Sequence, residues 1–103
     1  MRIIWSGSAS RRWSALFVQC MEIFGKSVAK RSLMQLEKKL ALLENNPEMG
    51  FPEPLLVGKG RLYRALIFSK NYKFIYYVDS SEIRIVDVWD MRMNPSALKK
   101  RIK

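Results

Sequence analysis

The chain has 103 residues, 49% of them hydrophobic, which is enough for one core and too few for two. Nineteen Lys and Arg against nine Asp and Glu leave a formal charge of +10, an excess that points to nucleic acid, an rRNA-rich particle or an acidic protein as partner. With no histidine and Cys20 as the only cysteine, an intrachain disulfide and a zinc cage are excluded and the commonest general base is missing. No cofactor or metal is therefore expected, and any catalysis falls to Lys, Arg, Tyr or carboxylates.

Arg2 to Trp5 reads as a short strand, and Ser6-Gly7-Ser8 breaks it before Ser8 or Ser10 caps a helix. Trp13, Leu16, Phe17, Cys20, Ile23 and Phe24 recur at helical spacing as one apolar stripe with a buried thiol, and Gly25 ends it. Ser27 caps a second helix whose Ala29, Leu33, Leu36, Leu40 and Leu43 form a seam, with Lys30, Arg31, Glu37 and Lys38 outward. That helix stops near Asn45-Asn46-Pro47, and the short Gly25-Lys26 link predicts an antiparallel helical hairpin. No apolar run approaches the roughly 18 residues of a membrane span, and residues 1–20 hold no signal-peptide core. A cytoplasmic chain without membrane contact is expected.

From Pro47 to Gly60 lie three of the four prolines and three of the five glycines, so this segment reads as irregular, with Leu55 to Val57 briefly extended. A strand through Tyr63-Arg64, a strand from Tyr72 to Val78 and a strand from Glu82 into Asp90 follow as an antiparallel meander. A short helix capped by Asn94, with Pro95 in its first position, closes the chain. The expected class is α+β: an N-terminal strand, a two-helix hairpin, a three-stranded meander and a C-terminal helix, forming a single domain over 1–103.

Charge concentrates in this last part. No acid lies between Glu53 and Asp79, where Lys59, Arg61, Arg64, Lys70 and Lys73 fall, and none follows Asp90. Pairing around the turn at 79–82 sets Tyr77 opposite Arg84 and Ile75 opposite Val86. Pairing around 69–72 sets Arg64 opposite Tyr77 and Phe68 opposite Lys73. On that register Arg64, Lys73, Tyr77 and Arg84 share one face with Leu62, Leu66, Phe68, Ile75, Val86 and Val88. Tyr72, Phe74, Tyr76, Val78, Ile83, Ile85, Asp87 and Trp89 lie under the helices.

The order of these elements, with Leu42-Leu43-Glu44-Asn45-Asn46-Pro47-Glu48-Met49-Gly50, Leu62-Tyr63-Arg64, Tyr72 to Val78 and Val86 to Pro95, resembles the RelE/ParE superfamily of type II toxins over nearly the whole chain. The resemblance implies a toxin that pairs with a cognate antitoxin in a hetero-oligomer. It also implies one of two activities: ribosome-dependent mRNA cleavage by a metal-independent endoribonuclease, or ParE-like inhibition of DNA gyrase. A basic module that only docks an antitoxin or RNA is a third reading. The nuclease reading, with ribosome and mRNA as partners, comes first because three cations match it.

Carried over by position, Arg64, Lys73 and Arg92 are the catalytic candidates, holding the phosphoryl oxygens as charge builds on them. Tyr77, Arg84, Arg61 and Lys59 are substrate-binding candidates. The further strand lysine of the nuclease pattern falls at Leu66, and the last helix holds no tyrosine. Each candidate also has a structural reading: Arg64 as a partner of Asp87 or Asp90, Arg92 as a partner of Asp90, Tyr77 as sheet packing, Arg84 as a surface charge.

Overall fold

The computed structural model describes residues 1–102. Strand β1 (Arg2–Trp5) leads to helices α1 (Gly7–Phe24) and α2 (Lys26–Asn45), then to a two-residue strand β2 (Phe51–Pro52) and a 3-10 turn (Pro54–Leu56). Strands β3 (Arg64–Ser69), β4 (Tyr72–Asp79) and β5 (Glu82–Asp90) and helix α3 (Pro95–Arg101) follow. The expected end of the last helix at Lys103 lies outside the described residues. The five strands form one sheet in the order β1-β5-β4-β3-β2, with β1 parallel to β5 and the other pairs antiparallel. The α+β expectation holds.

Local chemistry starts and stops the helices. Ser6, earlier than the expected caps, accepts from Ala9 N–H at 3.0 Å and sets the first turn of α1. Gly25, at φ 92°, separates α1 from α2 in a backbone conformation that a side chain would strain. It also begins α2, which has no side-chain cap at Ser27 or elsewhere. Of the expected extended piece Leu55–Val57 only Val57 is extended: Pro54 opens a helical turn that takes in Leu55 and Leu56.

Two cores flank the sheet. Ala9, Cys20, Ala29, Leu36 and Leu43 of the helices pack on Leu66, Phe68, Phe74, Tyr76, Ile83, Ile85 and Val88. Trp13 docks α1 edge-on against Phe68 at 5.5 Å and Tyr72 at 6.3 Å. Ile23 and Phe24, expected in the stripe, are exposed, at 59% and 46%. On the other face α3 and the 3-10 turn bury Leu56, Tyr63, Ala65, Ile75, Trp89 and Leu98.

Both expected registers hold beside their turns and slip by one residue further on. Ser69 faces Tyr72 as expected, but a bulge at Phe68 pairs Ile67 with Lys73 and Arg64 with Tyr76. Tyr77 faces Arg84 as expected, but a bulge at Val86 pairs Ile75 with Asp87 and Lys73 with Trp89. A one-residue slip inverts the pleat, so Arg64, Leu66, Phe68 and Val88 turn to the helices, while Asp87 and Trp89 turn away from them. This corrects the expected single basic face.

Candidate functional site

Arg64 begins β3 beside Tyr76 and under the α2–β2 connection. Its guanidinium donates to the Gly50 carbonyl at 2.8 Å and the Glu48 carbonyl at 3.3 Å. Carbonyls leave its charge unneutralised, and among the described residues it makes no ion pair with Asp87 or Asp90. The same connection is tightened by Tyr76, whose hydroxyl donates to the Pro47 carbonyl and accepts from Gly50 N–H, both at 2.9 Å. A Cβ on Gly50 would stand 2.6 Å from that hydroxyl and 2.7 Å from the Ala65 carbonyl, so only glycine fits.

Lys73 lies on the opposite face, between Ile67 and Trp89 across the strands. Its ammonium donates to Glu53 Oε2 at 2.7 Å, and both residues are buried, at 9% and 3% exposure. Burial drives this pairing: an isolated charge there would carry an uncompensated desolvation cost. Lys73 is thus neutralised and closed off from an incoming phosphate.

Arg92 follows β5 and closes a fork on Asp90, with Nε to Oδ1 at 2.9 Å and Nη2 to Oδ2 at 2.7 Å. It also spans the rings of Phe24 and Tyr72 at 5.6 and 6.0 Å. The Arg92 hydrogen bonds hold Asp90 below its ordinary value of 3.8 and hold Arg92 above its own. Because Asp90 binds its proton less readily when folded, its stabilisation is present above pH 3.8 and is lost as pH falls through the depressed folded value. An Asp90→Asn variant should therefore be about 1–2 kcal/mol less stable at neutral pH, the low end for charged hydrogen bonds since Arg92 is partly exposed. Denaturant midpoints of both proteins should converge as pH falls through that depressed value; a gap that persists once Asp90 is protonated contradicts the assignment.

The remaining candidates gather at the far end of β4. Arg61 covers the Tyr77 ring at 4.1 Å, and Tyr63 meets the same ring edge-on at 5.8 Å. Arg84, across from Tyr77, pairs with Glu82 at 2.8 Å and Asp79 at 3.7 Å. Lys59 and Arg61 have no carboxylate partner among the described residues. Four strand residues, roughly 13 Å, separate Tyr77 from Lys73. Arg64 and Arg92 share a face, but Arg64 lies beside Tyr76 in mid-β4 and Arg92 by Tyr72 at its start, with buried Phe74 between those neighbours. The three catalytic candidates therefore do not converge.

Sequence reasoning missed Glu53 and the buried Asp87 cluster. Asp87 accepts from Arg101 of α3 at 2.7 Å and lies 3.5 Å from Arg12 of α1. Burial pushes its carboxyl up, and the two guanidiniums oppose that shift. The one available signal was an Asp inside an apolar strand, Val86-Asp87-Val88, which demands a charged partner without saying which.

A strand, a helical hairpin on a meander and a short C-terminal helix define a fold of the RelE/ParE type. The family described as ParE toxin of type II toxin-antitoxin system, parDE, matches residues 3–95, and the chain belongs to that family. Its partner is accordingly a cognate antitoxin. Among solved structures it is similar to a chain of the chromosomal ParDE TA system from P. aeruginosa, with TM-score 0.70 and 18% identity over 87% of this chain and 95% of that one. It is also similar to the YoeB/ParE toxin from Agrobacterium tumefaciens, with TM-score 0.62 and 17% identity over 87% of this chain and 98% of that one. No curated protein matches it significantly. No helix of the described residues is long and apolar enough to cross a membrane.

Proposed function

We propose that this toxin arrests growth by binding DNA gyrase, without cutting RNA. The observation that carries the reading is the dispersal of the cations a nuclease would gather. Lys73 is neutralised by Glu53 on one face, and Arg64 stands on the other. Arg92 is forked to Asp90. In-line attack by a 2′-hydroxyl needs fixed donors around one phosphate and a group that accepts the proton. Leu66, where the nuclease pattern expects a lysine, is apolar and buried in the helix-side core.

Inhibition by binding asks only for an accessible surface. Arg61 and Lys59, with exposed Val57 and Leu62 beside them in sequence, offer uncompensated charge and apolar area for that purpose.

Expression without antitoxin should abolish supercoiling of a reporter plasmid while messages stay intact, and purified toxin should inhibit gyrase in a supercoiling assay. An Arg64→Ala, Arg92→Ala variant should retain that inhibition to within roughly tenfold, whereas loss of a phosphate-holding donor typically costs about a hundredfold or more. Ribosome-dependent message cleavage that the double variant loses would reinstate the endoribonuclease reading. Normal growth with neither effect would leave a module that only docks its antitoxin or RNA.

A further inference from the structure

Between the C-terminal end of α1, the first turns of α2 and the β3–β4 turn lies an open cavity of about 350 Å³. That is near the lower end of the roughly 300–1,000 Å³ usual for small-molecule sites. Phe24 and Val28 supply apolar wall. Cys20 and Tyr72, exposed by only 3% and 5%, close it from below with the thiol against the phenol. Ser32, 7% exposed, borders the space and takes no part in the side-chain hydrogen bonds of the described residues.

The charge around this cavity has one sign. Arg31 and Lys70 stand exposed on its rim without an ion-pair partner among the described residues, and no carboxylate lines it. Arg92, just beyond Phe24 and Tyr72, contributes little because Asp90 neutralises it. Two free cations, the Ser32 hydroxyl and an aromatic wall together select a ligand with an anionic head and a compact apolar body.

We propose that this cavity binds a small organic anion, its carboxylate between Arg31 and Lys70 and its apolar body against Phe24 and Val28. Ser32 adds a hydroxyl donor to the site. The inference stands apart from the gyrase reading, because it is read on the free chain without antitoxin or target.

Amide spectra of the full chain titrated with benzoate test it, with benzamide and inorganic phosphate as the neutral and body-less comparisons. Benzoate should bind saturably with a Kd of about 1 mM or tighter, shifting amides of residues 20–35 and 69–72. Benzamide and phosphate should each bind roughly tenfold more weakly or worse, and an Arg31→Ala, Lys70→Ala variant should weaken benzoate by a similar factor. Both substitutions are at exposed positions, so the variant's unliganded spectrum should remain that of the folded chain. No saturable benzoate shift, equal binding of benzamide or of phosphate, shifts centred elsewhere, or undiminished affinity in the double variant would each overturn the proposal.

Discussion

Replacing Lys73 with methionine should lower the stability of the fold by about 3–5 kcal/mol, because Glu53 would be left buried without its partner. Against a total of roughly 5–15 kcal/mol for a domain of this size, that is a large fraction. Glu53→Leu alone should cost a comparable amount by stranding the ammonium. The pair Lys73→Met with Glu53→Leu should recover most of the loss, since apolar replacements of similar size remove both desolvation costs. Urea midpoints of the four proteins give the coupling directly. A lysine serving as a phosphate ligand behaves differently: its loss removes activity, leaves stability nearly unchanged, and is not repaired by a second change at Glu53. That pattern would reject the structural role assigned here.

The second large effect is expected at Asp87. Its carboxylate is 1% exposed and joins α3, through Arg101 at 2.7 Å, to the face of the sheet that carries Trp89. Arg101 lies 4.7 Å over the Trp89 ring, and its buried Nε already lacks a partner, so the guanidinium depends on Asp87 for compensation. Asp87→Ala should cost about 3 kcal/mol or more and release the α3 amides to hydrogen exchange ahead of those in β4. Arg12 approaches the same carboxylate oxygen from further off, at 3.5 Å, and its own side chain is 42% exposed. Arg12→Ala should therefore stay within about 1 kcal/mol of the parent protein. Equal effects at Asp87 and Arg12 would show that the Arg101 contact does not anchor the helix.

The two ion pairs also show what kind of contact a sequence discloses. Arg92 lies two residues after Asp90 at the end of a strand, so their pairing is a local event that spacing suggests. Glu53 and Lys73 are 20 positions apart, with an irregular stretch and a whole strand between them. No periodicity links such residues, and their contact follows only from the way the 51–56 segment folds over the sheet. The Asp87 cluster is more remote still, drawing its cations from α1 and α3.

The order of the main strands and helices, most of each helix stripe, the Gly25 break, the Asn94 cap and membership of the toxin superfamily were written in the chain, because they depend on hydrophobic period and on residues a few positions apart. The face occupied by each cation was decided by the tertiary structure. Single extra residues at Phe68 and Val86 shift the pairing by one, and a shift of one turns a strand's side chains over. Those bulges arise from how β3, β4 and β5 settle between two cores, an interaction among distant segments that local composition does not encode.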